Sequence, residues 1–224
     1  MLLRRKGILT VIILPCFLFI FLFINTIEYI NPAITEIDFS FLFTSNKVIA
    51  QGTGWINYTL DNSSNSNSNN IGSALSTKIP LGWQVTEDKI TQTNQTTDII
   101  VFLSPKENSN DLFQENIVLS IQKPANNISM ENGVNTQNIV DKLKDQYDEF
   151  SFENMSTINI NSFQAPAESI VYSFSDSGLY FKTKQVFLTT SNGIYIFSLL
   201  AEQNEFEKYV DIFNLVLKNI RMID

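Results

Sequence analysis

The chain has 224 residues, with 15 basic and 23 acidic side chains, no histidine and one cysteine. Arg4, Arg5 and Lys6 precede every acidic residue, so the chain beyond Lys6 has 12 basic and 23 acidic residues. Nucleic acids and anionic membrane surfaces bind basic faces, so this acidity argues against either as the main partner. Histidine is the commonest general base and transition-metal ligand, so its absence removes most enzyme chemistries. We expect no metal site and no cofactor.

The N-terminus predicts a membrane anchor. Residues 8–24 contain no charged side chain and follow the three basic residues, which is typical of a transmembrane helix whose N-terminus stays in the cytoplasm. A cleaved secretory signal has a shorter apolar run with small residues directly after it. The sequence therefore favours a retained single-pass anchor with the remaining chain outside the cell membrane. Secretion after cleavage near Ala50 is the alternative. Cys16 lies inside the run and is interpreted as an apolar residue in lipid.

Asn-x-Ser/Thr triplets are consistent with this export. They are candidate glycosylation sites, although a chain so rich in asparagine, serine and threonine also generates such triplets by chance. The asparagines are Asn57, Asn62, Asn94, Asn127 and Asn154.

The composition divides the chain into three parts. Residues 1–27 are the anchor or signal segment, residues 28–74 a juxtamembrane stretch and linker, and residues 75–224 the folded domain. The linker is placed in the tract NYTLDNSSNSNSNN at residues 57–70, which has too little apolar surface to offset the entropy of ordering it.

Strand patterns fill the domain. The last three predicted strands are separated by turn sequences, Asp176-Ser177-Gly178 and Ser191-Asn192-Gly193, and so predict an antiparallel meander. The final strand is apolar on both alternating faces and should lie inside the sheet. The predicted strands are Trp83–Val85, Asp98–Ser104, Asn116–Gln122, Ser156–Ile160, Glu168–Ser175, Leu179–Thr190 and Gly193–Ala201.

Helical periodicity predicts two helices that cover this sheet. The first spans Thr136–Glu149, with Asn135 or Thr136 able to cap its start. The second spans Asn204–Arg221 and carries a broad apolar stripe. The predicted fold class is therefore α+β, an antiparallel β-sheet flanked by helices in an α/β/α sandwich, preceded by one N-terminal transmembrane helix.

The order of these elements resembles a known family. The residues that carry it are Pro80-Leu81-Gly82-Trp83, the strands Ile99–Pro105 and Ile117–Ile121, the helix to Phe150, the hairpins through Phe181–Thr190 and Gly193–Leu200, and the closing helix to Arg221. Over residues 75–224 they resemble the PsbP-like family. That family includes the PsbP subunits of the photosynthetic oxygen-evolving machinery, a nuclear Ran-binding protein and small exported prokaryotic proteins, many of them archaeal.

The resemblance implies an antiparallel sheet between helices and a non-enzymatic binding role. The chain also departs from the family pattern. The first strand, Gly72–Thr77, is a weak version of the family's aromatic strand. Photosynthetic members use histidines for some metal binding, and this chain has none, so a photosystem function is not implied.

Candidate catalytic residues are few. Ser120 and Lys123 have the Ser-x-x-Lys spacing of some hydrolases, but on a strand they alternate to opposite faces, so we interpret the match as coincidence. Asp141, Asp145, Asp148 and Glu149 follow one another along the first helix and could hold a hard cation, although a solvated charged face is the simpler interpretation.

Three further positions are candidates: one acidic pair and the two tryptophans. Glu87-Asp88 is interpreted as part of a turn. An exposed tryptophan indicates a carbohydrate or peptide platform, and a buried one packs in the core. The pattern around Trp83 favours packing, and for Trp55 both interpretations stay open.

The leading functional hypothesis is a membrane-tethered, extracytoplasmic PsbP-like domain that binds another protein or a small ligand and has no catalytic residues. The partner is unknown, and nucleic acid is not expected. One alternative is an extracytoplasmic hydrolase that uses carboxylates or the Ser120/Lys123 pair. The other is a purely structural envelope protein.

Overall fold

The structure is a computed structural model. It describes residues 47–48, 54–60, 74–92, 95–109, 111, 113–124, 134–147, 149–163, 165–190 and 193–223. Within these ranges no helix has the length and apolarity that a membrane crossing requires. The predicted anchor at residues 8–24, Cys16 and the cleavage position near Ala50 lie outside the described residues.

The described residues form eleven strands and two helices. In chain order they are β1 (Lys47–Val48), β2 (Trp55–Leu60), β3 (Ala74–Pro80), β4 (Gln84–Gln92), β5 (Gln95–Leu103), β6 (Asn116–Pro124), α1 (Thr136–Gln146), β7 (Ser151–Asn159), β8 (Pro166–Asp176), β9 (Leu179–Thr190), β10 (Gly193–Glu202), α2 (Phe206–Asn219) and β11 (Arg221–Ile223).

These strands build two antiparallel sheets. The large sheet has eight strands in the order β1-β4-β5-β6-β10-β9-β8-β7, and the small sheet has three in the order β11-β3-β2. The meander β8-β9-β10 pairs as the turn sequences predict, with Glu168 opposite Phe187 and Gly193 opposite Thr190. The start of β9 and its end match the predicted bounds, Leu179 and Thr190.

Each face of the large sheet has its own cover. On the α2 face, Phe102, Leu119 and Phe197 pack with residues of α2, β2 and β3 in one hydrophobic cluster. On the α1 face, Val118 and Ile196 pack with the apolar side of α1 in a second cluster. Strand β10 contributes to both clusters and is buried from Gly193 to Ala201, as its two apolar faces predict.

The small sheet is the main difference from the predicted sandwich. The prediction has one sheet between helices, whereas the α2 face is covered by a helix and by a second sheet. Tyr58 of β2 packs edge-on against Phe102 at 5.1 Å between ring centroids. The first residues of the predicted linker, Asn57–Leu60, are therefore strand, and residues 61–70 lie outside the described residues. Pairing with β3 supplies the stability that the polar composition of this stretch does not.

Other elements begin or end away from their predicted bounds. Strand β7 starts at Ser151, five residues before the predicted strand. Helix α1 begins as predicted, since the Asn135 side chain accepts a hydrogen bond from the Asn138 N–H at 3.1 Å. It ends at Gln146, before the predicted end at Glu149. Helix α2 gives way to β11 because Ile220 adopts an extended conformation.

Gly193 allows β10 to run close to β6. Its φ is +145°, and a Cβ atom there would overlap the backbone carbonyl of Gln122. Gly178 also has a positive φ, +83°, but a Cβ atom there meets nothing within 4 Å. It forms the β8–β9 turn with Ser177, whose φ is +52°, as a primed hairpin turn requires.

We expect Gly193→Ala to lower the free energy of unfolding by about 3 kcal/mol, because the methyl group overlaps backbone that cannot move without breaking the sheet. Gly178→Ala is the matched control, with an expected cost of about 1 kcal/mol from its left-handed conformation alone. Urea unfolding of both variants measures the difference. Equal losses would show that the close approach of β10 to β6 is not constrained.

Candidate functional site

Ser120 and Lys123 are not brought together. Ser120 is fully buried on the α1 face of β6, while Lys123 lies on the α2 face, where its Nζ is 3.0 Å from the Asp98 carboxylate. Lys89 lies 3.4 Å from the same carboxylate. This lysine is thus part of a structural ion pair, and the Ser-x-x-Lys spacing does not form a nucleophilic site.

Two of the acidic residues predicted on α1 lie in the helix, and a third follows it. Asp141 and Asp145 are exposed, and Asp141 accepts a hydrogen bond from the Gln137 side chain at 3.0 Å. Glu149 is exposed after the helix, and Asp148 lies outside the described residues. Throughout the described ranges, no group of three or more histidine, cysteine or acidic residues is placed to hold a metal ion.

The interpretation of Glu87-Asp88 as a turn is wrong. Both residues lie within β4, which continues to Gln92. The Glu87 carboxylate accepts a hydrogen bond from the Tyr58 hydroxyl at 2.6 Å, which links the two sheets. This partner comes from a strand 29 residues away in sequence, so the local polar composition could not indicate it.

The two tryptophans have opposite environments. Trp83 is 3% exposed and packs against Tyr209 of α2 at 6.1 Å between ring centroids. Trp55 is 41% exposed on β2. Among the candidate glycosylation sites, Asn57 and Asn154 are exposed on strands β2 and β7, and Asn62, Asn94 and Asn127 have no described side chain.

Acidic side chains converge at one end of the large sheet, which we call the acidic end. It is formed by the loop of residues 104–115, the β8–β9 turn and the turn between β10 and α2. Asp111 organises the loop, since its carboxylate accepts hydrogen bonds from the backbone N–H groups of Glu107 at 2.9 Å and Phe113 at 3.1 Å. The antiparallel order puts these three connections at the same end of the sheet.

An open pocket of about 580 Å³ lies at the acidic end. Tyr180 is 59% exposed, and its backbone carbonyl accepts a hydrogen bond from the Gln203 N–H at 2.9 Å, which fixes the β9 start against the β10–α2 turn. Glu202 contributes a carboxylate. The pocket is lined by Gly178, Leu179, Tyr180, Glu202, Gln203 and Asn204.

Negative charge is in excess beside this pocket. Burial raises the pKa of the Glu202 carboxyl, and the neighbouring carboxylates of Asp111, Glu205 and Glu107 raise it further. Two lysines lie among these groups: the Lys208 ammonium contacts Glu107 and lies 3.6 Å from Glu205, and the Lys106 ammonium lies 3.4 Å from the Asp111 backbone carbonyl. The hydrogen bond to Glu107 raises the pKa of Lys208, so this lysine is held in its charged form.

Glu115 lies beneath the surface of the acidic end. It is buried, and burial raises the pKa of its carboxyl. The Ser104 hydroxyl donates a hydrogen bond to this carboxylate at 3.2 Å. Burial and then the Glu115 charge raise the pKa of Tyr209 to about 12. Glu115 is thus tied into the packing between the loop and α2, whereas Glu202 faces the pocket.

Sequence inspection missed the acidic end because its residues come from distant segments. Glu107 and Asp111 follow β5, while Glu202 ends β10 and Glu205 follows it, and the intervening strands fold back between them. The usable signal was the predicted antiparallel order. In an antiparallel meander, alternate connections lie at the same end of the sheet, so acidic residues in those connections are expected to lie near one another.

Comparisons with known proteins give weak similarities. No family model and no curated protein matches the chain. A solution structure of cyanobacterial PsbP from Synechocystis is 11% identical to this chain, with a TM-score of 0.48. The match covers 84% of this chain and 98% of the PsbP chain. LpqN, described as involved in cell envelope biogenesis of Mycobacterium tuberculosis, has 14% identity, a TM-score of 0.40, and coverages of 76% and 92%.

The immunity protein TplEi of the Pseudomonas aeruginosa type VI secretion system has 10% identity, a TM-score of 0.38, and covers 59% of this chain and 47% of its own. Scores of this size assign neither family nor function. The described architecture, antiparallel sheets with two helices, belongs to the α+β class that the sequence predicts. Nothing in the comparisons supports the expected archaeal relationship.

The raised pKa values give the domain a defined pH dependence. The folded state binds the protons of Glu115 and Glu202 more tightly than the unfolded chain, so these groups favour folding as the pH falls from about 7 towards the unfolded pKa of about 4.3. Glu202→Gln removes one such charge. We expect this variant to be more stable than the parent at neutral pH, with the difference shrinking in acid.

Urea unfolding of the parent and Glu202→Gln at neutral and acidic pH measures this difference. Glu149→Gln, which removes an exposed carboxylate elsewhere, is the control for a general change in net charge. A stability difference for Glu202→Gln that stays the same at both pH values would contradict the assignment of this carboxyl.

Proposed function

We propose that this protein is a non-catalytic, extracytoplasmic binding domain, tethered to the cell membrane by residues 8–24, and that its acidic end binds a cationic group of a partner protein. The observation that carries the proposal is the pocket in which an exposed tyrosine, Tyr180, stands beside the carboxylate of Glu202.

The charge balance of the pocket favours a cationic ligand. The carboxylates of Asp111, Glu205 and Glu107 repel that of Glu202, and these four negative charges outnumber the two lysines placed among them, Lys106 and Lys208. A lysine or arginine side chain from a partner would relieve that repulsion on binding. A partner carboxylate would increase it. The pocket therefore discriminates between partners by the sign of their charge.

Tyr180 adds an apolar and aromatic surface to the charge. A partner cation over its ring gains from the negative face of the aromatic system, and the partner's alkyl stem gains from contact with the ring. Its backbone is held by the hydrogen bond from Gln203, so the ring projects from a rigid strand end. Rigid anchors lose little conformational entropy on binding.

The hydrolase alternative has less support. Its Ser120/Lys123 version needs two side chains that lie on opposite faces of β6. Its carboxylate version needs a pair with separated pKa values at one cleft. Burial shifts the pKa values of Glu202 and Glu115 in the same direction, and Glu115 is buried beneath the surface while Glu202 faces the pocket, so these two carboxyls do not form such a pair. Binding by charge requires only the excess of carboxylates.

The extracytoplasmic location rests on the sequence. The basic residues before residues 8–24 would stay in the cytoplasm and direct the domain to the other side. Retention of the full chain in membranes after carbonate washing tests the tether. Release of a shorter protein that begins at Gln51 would show that the segment is a cleaved signal.

Photo-crosslinking tests the binding proposal. A photoreactive phenylalanine analogue in place of Tyr180, in the full chain in its own membranes, should yield a discrete protein adduct. Combining it with Glu202→Gln and Glu205→Gln should reduce the adduct at least about fivefold, as should high salt, because rim charges act through screened attraction. The same analogue in place of the exposed Lys144 of α1 is the control.

A defined probe gives an independent measurement. A triarginine peptide should shift the Tyr180 ring resonances of the full chain in detergent, and a triglutamate peptide should not. Adducts that are equally strong at positions 180 and 144, or that persist in the charge variants, would contradict the proposal. An unchanged Tyr180 spectrum with triarginine would contradict it as well.

A further inference from the structure

The solvent side of the small sheet, which we call the outer face, gathers an unusual set of side chains. Strand register places Trp55 opposite Pro80, Asn57 opposite Lys78, and both Thr59 and Arg221 opposite Ser76. Residues directly opposite one another in an antiparallel pair lie on the same side of the sheet. The other side packs in the core through Tyr58, Leu75 and Ile79.

The outer face is positively charged although the chain is acidic. Lys78 and Arg221 are exposed there, and no described residue of this face is acidic. Lys218 is exposed at the end of α2, where its backbone carbonyl accepts a hydrogen bond from the Arg221 guanidinium at 3.0 Å. Cations that are spread through the sequence are thus brought together by the pairing of β11 with β3.

Trp55 gives the outer face its apolar character. It is one of the few large apolar side chains that are exposed among the described residues. Pro80 of β3 lies opposite Trp55. The exposed polar side chains of Asn57 and Thr59 follow Trp55 along β2 on the same face. A tryptophan on a face that also carries cations and small polar groups is typical of membrane interfaces, where the indole lies at the level of the headgroups.

We propose that the outer face lies against anionic lipid headgroups of the membrane into which residues 8–24 insert. Lys78, Lys218 and Arg221 attract the headgroups, and Trp55 enters the interfacial layer. The proposal rests on the proposed tether, because a tethered face meets the bilayer at high effective concentration and three cations then suffice. A protein partner is a weaker fit, because the carboxylate-free surface offers fewer groups for specific pairing.

The experiment uses the full chain reconstituted in phosphatidylcholine vesicles with or without phosphatidylglycerol, each containing spin-labelled quencher lipids. Trp83 is buried, so quenching that depends on lipid reports Trp55. We expect quenching to be at least about twofold stronger in the anionic vesicles and to weaken at high salt. Trp55→Phe should abolish the difference.

Charge variants separate this face from the rest of the domain. Lys78→Gln with Lys218→Gln should remove the dependence on phosphatidylglycerol, and both side chains are exposed, so the fold should be kept. Lys144→Gln, which removes an exposed lysine of α1, should leave the dependence unchanged. Arg221 is left intact because it also binds carbonyl groups at the end of α2.

Flotation of the same vesicles distinguishes a failure of the proposed tether from a failure of the outer-face proposal. A chain that floats with neutral vesicles retains its tether, and equal Trp55 quenching in neutral and anionic vesicles then overturns the present proposal alone. A chain that floats only with anionic vesicles overturns the tether and supports the outer face. A chain that floats with neither overturns both. A glycan on Asn57 in most membrane-bound molecules would also overturn the proposal, because it would cover this face.

Discussion

The organisation of this domain depends on one strand that has no solvent side. Strand β10 is buried along nine of its ten residues, so the sheet around it needs a cover on each face. Eight strands at a spacing of about 4.8 Å make a sheet roughly 34 Å wide, whereas one helix is about 10–12 Å across. Helix α2 alone is too narrow for the whole α2 face. The small sheet extends that cover, with Tyr58 packed on Phe102.

This double cover determines where function can reside. Two hydrophobic clusters occupy the interior between the layers together with buried polar side chains of the central strands, among which Gln185 and Ser198 hydrogen-bond to each other at 3.2 Å. Ligands therefore meet the domain at strand ends and on outer surfaces. The acidic end and the outer face are two such places. Each is built from segments that the sheet order, and not proximity in sequence, brings together.

The difference between contacts close in sequence and contacts made by the sheet order explains what could be predicted from sequence. Features that depend on residues close together in sequence could be predicted. They are the β8-β9-β10 meander, the buried position of β10 and the Asn135 cap. The small sheet depends on β2 pairing with β3 and on the Thr77 hydroxyl bonding to the Val216 carbonyl, 139 residues away. Neither partner has a strong pattern of its own. The acidic end was missed for the same reason, because its charges belong to loops that become neighbours only after the strands pair.

Average charge is a poor guide to the surfaces of such a domain. The excess of acidic residues argued against an anionic membrane surface, yet charges attract or repel strongly only within a Debye length of about 8–10 Å. Glu205 precedes α2 and Arg221 follows it, and the 14 residues of that helix span about 21 Å, so Arg221 acts on what approaches the outer face almost independently of the Glu205 carboxylate. The proposed tether at residues 8–24 would strengthen this effect, because it would fix which surface approaches and leave only the orientation of the domain to be set. Under that proposal, a small local excess of cations would be enough to decide which face meets the bilayer.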